Sequence, residues 1–236
     1  MALYDTASGI SRTEHNCYAT ERGKEVFAEI NEIIKETNFE ERGERARELE
    51  DAYNLEFLGA GVSRVAYRAT DERLIEGGEE CVVKIAQDET IWQNKRETLN
   101  WVLIEMADTW EVEQHYIPII DYDKEAFRWV TMPFAGEGIS YAESSKLKDR
   151  LEASLFGVSD LGMGNMGKLD GTLVVVDYGL SMEKFLTKVG EMENEFYYWD
   201  RHKISQYKNP DMTPEEEVEA FKKKLGSLFA WMDKVE

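Results

Sequence analysis

The chain has 236 residues, 42% of them hydrophobic, and its 48 acidic against 28 basic side chains give a formal net charge of −20. That much apolar material supports a core and excludes wholesale disorder. The acidity excludes a nucleic-acid backbone as the main partner, because phosphate contacts need clustered Lys and Arg. The longest apolar runs fall well short of the roughly 18 residues of a membrane span, and the sequence does not open on a basic segment followed by an apolar one. Neither a membrane span nor a secretory signal is expected. Cys17 and Cys81 stand far apart with no metal-ligand pattern near them. They predict free thiols in a reduced cytoplasmic protein, with Cys81 a core residue of a strand.

Residues 1–22 have little periodicity and read as an arm or loose cap. From Gly23 to Thr37, Phe27, Ile30, Ile33 and Ile34 share one helical face. A second helix rich in Glu and Arg is expected between Phe39 and Tyr53, its charges a solvated face. At Leu55 the texture changes. Glu56–Gly61 and Val65–Ala69 predict two short strands around a glycine turn, and Cys81–Ala86 a third, making an antiparallel meander. Asp88–Asp108 predicts a helix capped by Asp88 or Thr90, with a stripe of Leu99, Val102, Leu103 and Met106. Tyr116–Tyr122 and Ala126–Met132 predict two more strands. Pro133 to Gly138 breaks the pattern and marks a boundary between lobes. A helix over Ser145–Phe156 follows. The tail is expected to be helical, its clearest element starting at Thr213-Pro214-Glu215-Glu216, a capping box with proline in the first turn.

Chemistry concentrates in Gly157–Gly179, GVSDLGMGNMGKLDGTLVVVDYG. This stretch predicts a short loop, a hairpin and a buried strand, Leu173–Val176, that carries Asp177 out of the core. Asp160, Asn165 and Asp177 are hard oxygen donors suited to Mg²⁺, although Asp and Asn also suit plain turns. Upstream, Gly59 and Gly61 would let a backbone approach a phosphate closely, while hairpins use glycine in any case. Lys84 lies among Val82, Val83 and Ile85, where an ammonium is costly without a partner. Glu97 on the following helix is the first choice for that partner, with Glu105 and Glu89 behind it. A solvent-facing lysine on an edge strand is the alternative.

In order and spacing these signals resemble the protein-kinase-like superfamily. Leu58-Gly59-Ala60-Gly61 through Tyr67 is similar to its glycine-rich loop, and Val82-Val83-Lys84-Ile85 to its lysine strand. Asp160 to Asn165 keeps its Asp-x-x-x-x-Asn spacing, and Asp177-Tyr178-Gly179 is similar to Asp-Phe-Gly. The resemblance covers about Leu55–Gly179. It implies an α+β, two-lobed fold: 1–54 an N-terminal arm and helices, 55–135 an antiparallel-sheet lobe, 136–236 a compressed, mostly helical lobe. It also implies an ATP- and Mg²⁺-dependent phosphotransferase acting on a hydroxyl of a protein or small molecule. Lys84 would hold phosphates, oriented by Glu97; Asn165 and Asp177 would bind Mg²⁺; Asp160 would accept the hydroxyl proton. Gly59, Gly61, Arg64 and Met132 would line the nucleotide, with Phe134 beside Met132 at the adenine. The sequence departs from the pattern at Arg64 (a glycine in the family), Val158-Ser159 (His-Arg) and Gly162 (lysine or histidine), and no Ala-Pro-Glu follows Gly179. These departures resemble the compact aminoglycoside-phosphotransferase-like and atypical branches. They leave a second reading, a kinase-like binding or scaffold protein without catalysis.

Overall fold

The computed structural model describes residues 15–35, 37–87, 90–106, 114–136, 138–153 and 161–179. Asp160 and the tail helix expected at Thr213 lie outside the described residues. The fold is mixed α+β, built on a five-stranded antiparallel sheet. Its strands are β1 (Glu56–Ala60), β2 (Arg64–Ala69), β3 (Cys81–Ala86), β4 (Asp121–Tyr122) and β5 (Trp129–Pro133), ordered β1-β2-β3-β5-β4. The expected meander is therefore present. The strand expected over Tyr116–Tyr122 shortens to two residues. Pro118 has no N–H to give a ladder, and Tyr116 pairs elsewhere, in a parallel bridge with Val175.

Period-two alternation divides the sheet into two unlike faces. Val65, Tyr67, Cys81, Val83, Ile85 and Trp129 join Phe27, Ile30 and Ile34 in one buried apolar cluster. Those helical residues belong to α1 (Glu21–Ile34), whose apolar stripe runs as the spacing predicts. Each such side chain buried contributes about 1.5–3 kcal/mol. The helix begins where Thr20 Oγ1 accepts the Gly23 N–H at 2.9 Å, a cap worth about 1 kcal/mol. Gly23 has to be glycine, because a Cβ there would sit 2.1 Å from the Leu74 carbonyl oxygen.

The charged segment after α1 forms α2 (Phe39–Glu48) and the one-turn α3 (Glu50–Tyr53). It is not solvated throughout: Arg42, Ala46 and Leu49 are buried. Cys17 and Cys81 are not free thiols either. They form a disulfide with Cα atoms 5.7 Å apart, fully buried. Two contacts bring residue 17 over the start of β3: the Ala19–Ile75 bridge, and the Thr131 hydroxyl donating to the Cys17 carbonyl at 2.6 Å. The expectation that Cys81 is a strand core residue holds; the free-thiol argument for a reducing compartment does not.

The other face meets α4 (Ile91–Met106). The side chains of Leu99, Val102, Leu103 and Met106 lie outside the described set. Among the rest, Trp101 and Ile104 join Val130 and Met132 in a second apolar cluster. After the 133–138 segment, α5 (Tyr141–Ala153) starts earlier than expected. A reciprocal capping box explains it: Ser140 N donates to Glu143 Oε2 at 2.9 Å, and Glu143 N to Ser140 Oγ at 3.3 Å. The Ser140 hydroxyl, donating to Glu143 Oε2 at 2.7 Å, acts with the Ser140 N–H and Lys168 to pull the Glu143 carboxyl down to about 2. A 3-10 turn, Met163–Asn165, leads into the hairpin of β6 (Met166–Leu169) and β7 (Thr172–Val175). Asp170 (φ 49°) and Gly171 (φ 79°) supply the left-handed pair of a tight turn. Among the described residues no helix is long and apolar enough to cross a membrane.

Candidate functional site

The register of the sheet sets which side chains can meet. Arg64 stands opposite Ala86, and Ala66 opposite Lys84, which in turn faces Val130 on β5. Arg64 and Lys84 therefore project from the same face, diagonal to one another, toward α4. On that helix Asn94, Glu97, Trp101 and Ile104 are all buried. Their spacing of three and four residues stacks them along the side that meets the sheet. The partner of Lys84 is Glu97: Nζ donates to Oε1 at 2.8 Å, with the Glu97 side chain 0% exposed.

The β6–β7 hairpin brings the third component. Asn165 accepts the Val176 N–H through its backbone carbonyl at 2.8 Å. The loop bearing Asn165 therefore lies beside the residue that precedes Asp177. Lys84 Nζ also donates to the Val176 carbonyl at 2.5 Å, and comes within 3.9 Å of Asp177 Oδ1. Tyr178 turns back into the core. Its N–H donates to Glu97 Oε1 at 3.0 Å, its hydroxyl to the Ile117 carbonyl at 2.6 Å, and its ring meets Tyr116 edge-on at 5.2 Å. Its carbonyl accepts Asn100 Nδ2 at 2.6 Å. A phenylalanine in this position would leave the Ile117 carbonyl without the phenol donor. We expect Tyr178→Phe to lower stability by about 1 kcal/mol, read from the urea midpoint at constant slope. An unchanged midpoint would show that water replaces the hydroxyl.

Arg64 opens β2, is 6% exposed, and reaches both carboxylates. Nη1 donates to Glu97 Oε2 and, at 3.2 Å, to Asn94 Oδ1, while Nη2 donates to Asp177 Oδ1 at 2.5 Å. Two cations and two carboxylates thus form one formally neutral cluster, buried except for the half-exposed Asp177 carboxylate. Burial acts to lower the Arg64 guanidinium, but Glu97 and Asp177 outweigh it and hold it above its usual value. Burial pushes the Lys84 ammonium below its usual value, with Arg64 adding to the effect and the two acids opposing it. Burial alone would raise the Asp177 carboxyl; Lys84 and Arg64 more than offset that and hold it well below the usual carboxylate range.

The glycine turn is held from behind. Gly61 N donates to the Arg64 carbonyl at 2.8 Å, closing it tightly. Arg42, from the charged α2, donates to the carbonyls of Gly61 at 3.1 Å and Val62 at 2.6 Å, and to Gln87 Oε1. The Thr90 hydroxyl donates to the Ser63 carbonyl at 2.5 Å, tying the turn to the start of α4. A Cβ at Gly59 would meet nothing within 4 Å, so open space lies in front of that residue. Sequence reasoning missed Arg42; nothing in its local pattern distinguishes it from its solvated neighbours.

Met132 is buried in the cluster shared with α4, and Arg68 stacks over the Phe134 ring at 4.6 Å from its centroid. The N–H groups of Phe134 and Gly136 donate to the carbonyls of Glu80 and Lys168. An adenine edge would have to be read by other groups of this segment. The structure thus brings Lys84, Glu97, Arg64 and Asp177 into contact, sets the Asn165 backbone beside them, and places Gly59 near the end of β1 and Gly61 at the adjoining turn.

For a magnesium ion the fit is incomplete. Among the described residues no group of three or more His, Cys, Asp and Glu stands ready to hold a metal. The Asp177 carboxylate, 45% exposed, is already paired with Arg64 and approached by Lys84. Arg64 and Lys84 both approach its Oδ1, so the described residues do not make up a magnesium site. Compared with protein-family models and with curated proteins, the chain matches none.

Proposed function

We propose that ATP binds over the Lys84–Glu97 pair, between the glycine turn and the β6–β7 hairpin, and that the protein is a phosphotransferase of kinase-like, two-lobed fold. The observation that carries this reading is the buried Lys84–Glu97 pair beside Asp177. A buried ion pair is weak support for stability, since an apolar pair of similar size does as well or better. Buried charges of perturbed affinity beside open space are what a site for a charged ligand needs. Lys84 supplies a cation for phosphate oxygens, kept in place by Glu97. Mg²⁺ is proposed to arrive with the nucleotide on its phosphate oxygens, whose charge it neutralises when bound. Asp160 is proposed as the group that accepts the proton of a hydroxyl on a protein or small molecule. A cytoplasmic place of action, where ATP is supplied, belongs to the same proposal. The Cys17–Cys81 bridge is buried, so limited access shields it from thiol exchange there. The pairing of Arg64 with Asp177 supports a second reading, a kinase-like binding protein without catalysis.

A ligand at a hundred times its Kd stabilises by about 2.7 kcal/mol, or roughly 5–10 °C in Tm for a chain of this size. We expect such a rise with ATP plus Mg²⁺ and a smaller one with ATP alone, followed by differential scanning fluorimetry. No shift at millimolar nucleotide, over a range of salt, would remove the enzyme and the nucleotide-binding scaffold together.

A further inference from the structure

We propose that a cavity on the α1 side of the sheet binds a small primary amine through Asp121, with an aromatic body lying along Tyr18 and Tyr122. The site is separate from the nucleotide reading, and its test uses no nucleotide.

The cavity holds about 690 Å³ and is lined by residues of the arm before α1, of α1 itself and of the turn that joins β4 to β5. That size suits a small molecule, for which pockets of about 300–1,000 Å³ are usual. Trp129 forms part of the wall and packs edge-on against Phe27 of α1. In the sheet Trp129 stands opposite Ile85, one position along from the Lys84–Val130 pair. Alternation therefore puts the cavity on the face away from Lys84. It also adjoins β4, the outermost strand.

Three observations point to an amine. The first is that Asp121 is a partly buried carboxylate without a cation. Oδ2 accepts the Ala19 N–H at 3.1 Å and Oδ1 the Tyr122 N–H at 2.9 Å. Among the described residues it has no ion pair. Burial pushes its carboxyl above the usual value, against the pull of those two N–H groups and of Lys24 and Lys124. An ammonium on Asp121 supplies the missing charge. The second observation is that cations of the wall are engaged elsewhere. Arg128 is paired with Asp123, and Lys24 with Glu21 at 2.6 Å. With three cations against four acids, the lining carries one net negative charge, which a monocation neutralises and a monoanion doubles. Third, aromatic rings line the same space. Tyr18 is 40% exposed, and Tyr122 is stacked flat on Phe127 with ring centroids 5.4 Å apart. Ring faces attract cations and take up the apolar part of a ligand. The net charge of −20 adds to the local preference for a cation.

The test is isothermal titration calorimetry of tyramine into the full chain, with 4-hydroxyphenethyl alcohol and 4-hydroxyphenylacetate as its uncharged and anionic counterparts. Tyramine should bind with a Kd of about a millimolar or tighter. Both counterparts should bind about tenfold more weakly or less well still, since each lacks the charge-assisted hydrogen bond. Asp121→Asn keeps the size of the side chain and one acceptor oxygen, and should weaken tyramine by about 10–100-fold. Asp149→Asn, at an exposed acid of α5 outside the cavity, removes the same charge and should leave the affinity unchanged. That pair separates the site from the general attraction of an acidic surface. Should Asp121→Asn fail to fold by circular dichroism, Tyr18→Ala removes an exposed ring and should weaken tyramine by about 2–5-fold. No heat of binding at about 10 mM tyramine, or equal binding of the amine and the alcohol, overturns the proposal. So does equal weakening by Asp121→Asn and Asp149→Asn, or an affinity unchanged in Tyr18→Ala.

Discussion

Glu97→Gln should cost the protein about 3–5 kcal/mol, the loss found when one member of a buried charge group is removed and its partners stay behind. The Glu97 side chain is 0% exposed and serves three donors: the Lys84 ammonium, the Tyr178 N–H and the Arg64 guanidinium. Glutamine keeps one acceptor oxygen, but its NH₂ would point at one of two cationic donors. Lys84 and Arg64 would then share only Asp177, which is partly exposed. The effect should appear as a lower guanidinium midpoint with little change in slope. It should also depend on pH in a definite sense. Lys84 has its proton affinity lowered by burial, so between its folded value and the unfolded value near 10.4 the unfolded chain binds more protons. Stability therefore rises with pH through that window. Loss of Glu97 lowers the folded value further and widens the window. The deficit of Glu97→Gln relative to wild type should shrink as the pH is raised toward 10. A deficit under about 1 kcal/mol, flat with pH, would mean that water reaches the cluster and screens it.

How far such a cluster can be read from sequence depends on where each partner comes from. Lys84 and Glu97 were legible because both signals are local: a lysine inside an apolar strand run needs a partner, and a helix follows at once. The hairpin that delivers Asp177 was legible too, in Asp170-Gly171 and the apolar run after it. Arg64 and Arg42 were not. The partners of Arg64 lie from 30 to 113 residues away, and those of Arg42 from 19 to 45 residues away. A charged residue that close to a turn or on a Glu/Arg-rich helix looks solvated until the long-range contact is seen. The Cys17–Cys81 bridge, spanning 64 residues, escaped for the same reason. Pro118 shortened a strand that hydrophobic pattern alone had extended, because the pattern carries no account of missing donors. Above the pairwise level, the two faces of the sheet follow from simple alternation. Positions 65, 67, 81, 83 and 85 are apolar, while 64 and 84 on the other face are charged, and that asymmetry fixes which side holds the site.

Asp160→Asn should lower the rate of phosphate transfer by about 10²–10⁴-fold while nucleotide affinity changes little. Asp160 lies outside the described residues, and its proposed role rests on the five-residue step to Asn165, whose backbone the structure sets next to Val176. A carboxylate that takes the proton of an incoming hydroxyl acts in the chemical step. Its removal should therefore appear in kcat and kcat/KM alike and leave KM for ATP nearly constant. Asparagine keeps the size and much of the hydrogen bonding of the side chain, so the substitution isolates charge and basicity. The acceptor being unassigned, transfer of labelled phosphate from ATP is to be followed against cell extract and a set of hydroxyl-bearing small molecules, with ATP binding measured in parallel. A rate unchanged in Asp160→Asn would deny the residue the base role and point to a contaminating kinase. Wild type that binds ATP and transfers phosphate to no acceptor would favour the binding-protein reading. In that case the firm Arg64–Asp177 pair is the resting state of a site that takes a ligand without turning it over.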